Sequence, residues 1–300
     1  MSKRATYQPA VAHKAILCAP RLRRSTASEH YGLDPPHSAA EHAFMAHDHP
    51  PAWPIEPLVS DIRAVLGNEL VGLYLYGSAV SGDFDEDVSD IDLVAVTRPD
   101  VSAIEIAALE RMHIDFADRH PAWRDRLEVV YIGQATLRTF RRGGELAVIS
   151  PGESLHVRDG ADLWLQNWYL VRETGIALFG AAAVSVLPRV TQSEFLAATA
   201  RYADEVRQRD LGAMSPKDRA YTVLTMCRAF RTLQTRSHCS KQEGAAWTRA
   251  LMPEWAPIID AALACRLSRG TIGFDDEPSR AVAEALIQRL GQEIAALAAA

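Results

Sequence analysis

The sequence has no uninterrupted apolar run of about 18 residues, the length a membrane-spanning helix needs, and no apolar signal core behind its basic N-terminal residues. A cytoplasmic location is the expectation. Cysteine is scarce: Cys18, Cys227, Cys239 and Cys265 form no Cys-x-x-Cys pair and no metal-ligand spacing with histidine. That argues against a disulfide framework and a zinc site, and the four are read as reduced thiols. Positive charge is not in excess either, since 32 Lys and Arg against 38 Asp and Glu leave a formal charge of -6. Proteins that wrap a polyanion are usually strongly basic, so nucleic acid is not expected as a partner; a small neutral or cationic substrate is easier to accommodate. No repeat of fixed period is evident, which argues against a solenoid.

What is present is an ordinary globular composition, 48% hydrophobic and 23% charged over 300 residues, enough for two domains. Residues 1–54 hold seven prolines and six of the ten histidines, with no sustained helical or strand period. They read as a poorly ordered leader. From residue 55 the pattern changes. Leu58, Ile62, Val65 and Leu66 recur at helical spacing up to Gly67, and the apolar, aromatic run Val71 to Tyr76 reads as a strand. A second strand is expected over Ile91 to Thr97, a helix over 102–119 and a third strand over Leu127 to Ile132. Past about residue 160 the strand signals fade, and helices are expected over 162–179, 192–210, 216–236, 241–251, 256–268 and 278–298, broken by glycine and proline. The fold class is therefore α+β, with domains at 55–160, a small mixed β-sheet with helices, and 161–300, an all-helical bundle.

The chemistry-bearing stretch is Leu75-Tyr-Gly77-Ser78-Ala-Val-Ser-Gly82, followed by Ser89-Asp90-Ile91-Asp92-Leu93. A glycine and a serine at a strand end let the backbone turn tightly and approach a phosphate, with N–H donors at the start of the next helix. On a strand, side chains alternate, so Asp90 and Asp92 share a face roughly 7 Å apart. Two carboxylates side by side repel unless a divalent cation sits between them, and magnesium is the expected occupant. Glu128, an isolated acid in the apolar strand Leu127-Glu-Val-Val-Tyr-Ile132, needs a reason to be there. If its strand lies beside that of Asp92, it can face the same cleft as a general base or a further metal ligand.

Gly-Ser, eleven intervening residues, then Asp-x-Asp resembles the nucleotidyltransferases of the polymerase-beta superfamily. The likeness extends further. Arg219-Ala-Tyr-Thr-Val-Leu-Thr-Met-Cys-Arg228, then Ser240-Lys241-Gln-Glu-Gly-Ala-Ala-Trp247, is similar to the helical domain of streptomycin/spectinomycin (aminoglycoside) adenylyltransferases, and Leu170 to Gly180 resembles their interdomain helix. The resemblance implies ATP as co-substrate and Mg2+ as metal. Gly77, Ser78, Arg228 and Lys241 would hold the nucleotide, Asp90, Asp92 and Glu128 would be the catalytic and metal-binding carboxylates, and Asp218, ten residues before Arg228, would contact the acceptor. Asp218 fits equally well as a helix N-terminal residue after Ser215-Pro-Lys.

The acceptor pattern departs from the family: the stretch Gly152-Glu-Ser-Leu-His156 has no tryptophan, and a second tryptophan site falls at Arg209. The implied reaction is transfer of AMP from ATP to a hydroxyl of a small-molecule acceptor such as an aminoglycoside, releasing pyrophosphate, by a monomer without a membrane partner. Modification of a protein or a nucleic-acid end, and nucleotide binding without catalysis, are the alternatives.

Overall fold

The computed structural model describes residues 53–81, 84–270, 272, 274 and 276–299. The expected leader lies outside them up to residue 52, as do Gly82 and Asp83 of the acidic loop. The chain begins with helix α1 (Ile55–Leu66), then β1 (Leu70–Tyr76), the one-turn α2 (Ser78–Ser81) and β2 (Ile91–Thr97). Next come α3 (Ala103–Arg119), β3 (Leu127–Gly133), the short α4 (Gln134–Arg138), β4 (Glu145–Ile149) and β5 (His156–Asp159). Then follow α5 (Leu165–Thr174), β6 (Ile176–Gly180), the short α6 (Ala183–Val186), α7 (Gln192–Arg207), α8 (Pro216–Thr235), α9 (Lys241–Leu251), α10 (Ala256–Leu267) and α11 (Glu277–Ala299). Among the described residues no helix is long and apolar enough to cross a membrane.

The strands form one mixed sheet in the order β5-β4-β3-β2-β1-β6, in which only β2 and β3 run parallel. The α+β class holds, with a correction to its extent. Where a helix over 162–179 is expected, α5 stops at Gly175 and β6 returns antiparallel to β1. The sheet thus takes its edge strand from beyond residue 160. The physical reason lies at two glycines. A Cβ at Gly175 would sit 2.3 Å from the carbonyl oxygen of Val171, and Gly180, at φ +84°, packs against the Val71 carbonyl where a Cβ would come within 2.2 Å.

The helices start and stop where side chains satisfy their ends. Ser102 at α3, Thr191 at α7 and Ser240 at α9 each form a reciprocal capping box with a glutamate three residues on. Among the described residues three apolar cores result. Leu73, Leu75, Leu93, Val129 and Tyr131 on one sheet face pack against α1 and α3 through Leu58, Ile62, Leu109 and Phe116. The opposite face, with Tyr74, Tyr76, Val94, Val96 and Val130, meets Trp164, Trp168 and Val171 around α5. The third core is the helical bundle around α8, whose Val223, Leu224, Cys227 and Phe230 are buried among residues of α7, α9, α10 and α11. Helix α5 joins the last two: Trp168 sits against the sheet, its neighbour Tyr169 stacks on Phe195 of α7, and Gln166 Nε2 donates to the Ala198 carbonyl. This arrangement puts the bundle over the sheet face that carries the acids.

Candidate active site

Tyr76, Asp92 and Glu128 stand in one row. Asp92 is the register partner of Tyr76 on one side and of Glu128 on the other, so three neighbouring strands put these side chains on the same sheet face. Strands are about 4.8 Å apart, which makes Asp92 and Glu128 immediate neighbours. Asp92 is fully buried and Glu128 is 3% exposed. Two acids withdrawn from water at that spacing destabilise one another, a cost the fold carries unless a cation offsets it. Asp90, 8% exposed, lies just before β2. The parallel pairing continues to its level, where the Ile91 amide donates to the Arg126 carbonyl at 2.9 Å.

Two features hold this edge. Gly77 ends β1 at φ +73°, and Ser78 opens the one-turn α2 behind it, with the Val80 amide bonded to the Gly77 carbonyl. The segment before Asp90 is pinned by its own turn: the Ser89 amide donates to the Asp85 carbonyl, and the Ser89 hydroxyl accepts from the Asp85 amide. Arg126, the residue before β3, clasps it, donating through Nε and Nη2 to the Ser89 carbonyl and through Nη2 to that of Glu86, with its guanidinium over the Trp123 ring. Burial lowers the Arg126 pKa, and the carboxylate of Asp90 works against that. Arg126 escapes sequence reasoning, although a basic residue two positions before Glu128 is the visible signal.

The Tyr76 hydroxyl is 3.3 Å from Glu128 Oε1 and accepts from Nδ2 of Asn167, on α5, also at 3.3 Å. Burial first, then the charges of Glu128 and Asp92, raise the Tyr76 pKa well above its ordinary value, so the phenol stays protonated and donates.

The bundle supplies the opposite charge. Arg228 on α8 is 2% exposed and Lys241, the first residue of α9, is 7% exposed. The Lys241 ammonium sits 4.4 Å from the centre of the Tyr221 ring. A lysine at a helix N-terminus opposes the helix dipole, so helix stability does not explain its burial there. Gly244 makes the juxtaposition possible: a Cβ there would lie 2.6 Å from Cα of Arg228, so α8 and α9 touch backbone to backbone. Burial, and then Tyr202, raise the Tyr221 pKa well above its usual value, and Glu128 adds to the rise. Tyr221 of the bundle is therefore within electrostatic reach of Glu128. His238 is buried beside these cations, and desolvation, then Arg228 and Arg231, push it down to about 3. Tyr76, Asn167, Tyr202, Tyr221 and His238 are all site neighbours that sequence reasoning did not single out.

Asp218 is exposed at the third position of α8, where its amide donates to the Ser215 hydroxyl and its carboxylate accepts from it. It is a helix-capping residue, and it also lies on the α8 stripe of Asp218, Tyr221, Thr225 and Arg228, at the open end. Arg209 holds its guanidinium 5.8 Å from the centre of the Tyr202 ring. The Gly152 to His156 stretch joins β4 to β5 and helps line a cavity of about 360 Å³ with His113, Trp123, Leu127 and Ile149. Leu127 and Glu128 point to opposite faces of β3, so that cavity lies behind the acids and not among them.

Among the described residues, no group of three His, Cys, Asp or Glu forms a ready metal cage. The three acids share one end of the sheet, Asp92 and Glu128 as register partners and Asp90 just before β2. Oxygen donors of this kind still fit magnesium, which is held by one or two carboxylates and completes its shell with water and substrate phosphates.

A Gly-Ser turn and strand-borne acids at one end of a sheet, with buried cations in the adjoining helical bundle, suit nucleotidyl transfer. Residues 60–141 match the family described as nucleotidyltransferase domain, and residues 185–290 match the aminoglycoside adenylyltransferase C-terminal domain. The chain is 25% identical over 251 residues to the spectinomycin 9-adenylyltransferase of Campylobacter jejuni, covering 80% of this chain and 94% of that protein. The crystal structure of the spectinomycin adenyltransferase AAD(9) from Enterococcus faecialis, with ATP and spectinomycin, has the same fold. It aligns at a TM-score of 0.63 and 17% identity over 80% of this chain and 98% of that one. The protein is thus an enzyme, a nucleotidyltransferase that resembles the aminoglycoside adenylyltransferases.

Proposed function

We propose that this enzyme transfers AMP from ATP to a hydroxyl of a small aminoglycoside-type acceptor, spectinomycin before streptomycin, with magnesium as the metal. The observation that carries the reading is the buried row Tyr76–Asp92–Glu128, with Tyr221 of the bundle in electrostatic reach of Glu128 and of Arg228 and under the Lys241 ammonium. Both relatives named above are spectinomycin adenylyltransferases, which favours that acceptor.

Gly77 and Ser78 would approach the triphosphate by backbone and hydroxyl. Arg228 and Lys241 would balance the charge of the pyrophosphate as it leaves, in a dry setting that strengthens each contact. Asp90 and Asp92 would hold the magnesium, with Glu128 at its margin; when bound, it supplies neutralisation of the phosphate oxygens. Glu128 would accept the proton of the acceptor hydroxyl. That oxygen bonds to the alpha-phosphorus, the alpha–beta bridging bond breaks, and its electron pair goes to pyrophosphate. Asp218, exposed at the mouth of the α8 stripe, suits an ammonium group of the acceptor. Cys227, Cys239 and Cys265 are free and buried, which fits a reducing, cytoplasmic setting.

The test is incubation of the purified protein with ATP, magnesium and a panel of aminoglycosides, read by mass spectrometry. Spectinomycin should gain one AMP, with pyrophosphate released in equal amount. A panel left entirely unmodified, while ATP is bound, overturns the acceptor assignment.

A further inference from the structure

We infer that Tyr76 is a positioning residue for Glu128, and that Asn167 sets the direction of its hydrogen bond. The inference rests on reading Glu128 as the base that takes the acceptor's proton.

A phenol has a single hydrogen to donate. Asn167 Nδ2 donates to the Tyr76 oxygen, so that hydrogen is left for Glu128 Oε1. One oxygen of the carboxylate is thereby held in a fixed direction, which orients the group toward the substrate proton. Tyr76 is fully buried at the end of β1, held by strand pairing, and Asn167 is 5% exposed on α5; neither side chain moves without disturbing packed neighbours. The surroundings make the pair conspicuous. Next to them stand Tyr74, Val94, Val130, Trp164, Trp168 and Val171, a face a phenylalanine would complete. Asn167 also keeps its Oδ1 buried with no hydrogen-bond partner, a cost a purely structural residue has no reason to carry.

The experiment is a double-mutant cycle on the full-length enzyme with ATP, magnesium and spectinomycin. Wild type, Tyr76→Phe, Glu128→Gln and the double variant are compared for kcat, for KM of both substrates, for ATP affinity by calorimetry and for thermal midpoint. Tyr76→Phe should lower kcat about tenfold, as loss of orientation does, with both KM values and ATP affinity unchanged. In the Glu128→Gln background the same change should cost nothing further. Asn167→Ala, which leaves the sheet untouched and serves if Tyr76→Phe folds poorly, should lower kcat by less and add nothing to Tyr76→Phe. An unchanged kcat in Tyr76→Phe, or an equal loss with and without Glu128, overturns the relay alone. Full transfer by Glu128→Gln overturns the base assignment and the relay with it.

Discussion

One residue step separates two rows of the same three strands. Leu75, Leu93 and Val129 are register partners on the face under α1 and α3, each at most 1% exposed; Tyr76, Asp92 and Glu128 are register partners on the other face, at most 3% exposed. Burial is equal, but chemistry is not. The first row buries hydrocarbon and stabilises the fold; the second withdraws two acids from water and destabilises it. Backbone pairing is common to both rows, so the apolar row and its helices hold rigid the strands that keep the acids apart at a fixed spacing. A sheet is suited to this division because alternation assigns the two tasks to adjacent residues without mixing them.

The comparison breaks hardest at Asp92. Asp92→Asn should cut transfer by more than about a thousandfold in a pyrophosphate-release assay, the scale of losing a preorganised charge at the reacting phosphate. The urea midpoint without magnesium should hold or rise, since the change relieves a buried like-charge pair. Retained transfer would remove Asp92 from the machinery. Leu93→Ala, the next residue, should do the reverse: about 2–5 kcal/mol of stability lost by denaturant titration, with kcat near wild type where the variant remains folded. If Leu93→Ala lowers kcat as much as Asp92→Asn does, the two faces do not divide the work.

The sequence shows the two acids of the second row but neither Tyr76 nor the row. Asp90 and Asp92 are legible because local alternation alone fixes their common face, and Arg228 and Lys241 because a known spacing marks them. Glu128 is visible as an acid in an apolar strand, yet its partner in register depends on parallel pairing across a crossover, which local pattern does not encode. Tyr76 stands inside the quoted motif and passes as an ordinary aromatic strand residue; only pairing brings it to Glu128. Asn167 carries a weak signal, as one of two adjacent amides in the otherwise apolar stretch from Trp164 to Val171. Strand β6 is missed because Ile176-Ala-Leu-Phe179 is a four-residue apolar run directly after a helix, and periodicity over so few residues does not tell strand from helix.

The smallest expected effect tests whether the apolar face is as neutral as the comparison requires. That face has a polar pair of its own: His113 of α3, 3% exposed, has Nε2 2.8 Å from the Tyr131 hydroxyl. Desolvation lowers the His113 pKa from 6.5 to about 4, with Asp61 opposing the shift, so the ring is neutral in the folded protein at pH 7. The sign follows from which state binds the proton. Below pH 6.5 the unfolded chain protonates this histidine and the folded one does not until about pH 4, so stability is fully present above 6.5 and declines as the pH falls through that window. At pH 5 the loss is about 2 kcal/mol from this residue. Urea titrations of wild type and His113→Gln at pH 7.5 and pH 5 read it directly. Glutamine keeps a partner for Tyr131 but does not titrate, so the acid loss should shrink by about that amount. Equal losses in the two proteins would mean that the face under α3 accepts a buried charge, and the contrast between a neutral face and a charged one would no longer explain where the acids sit.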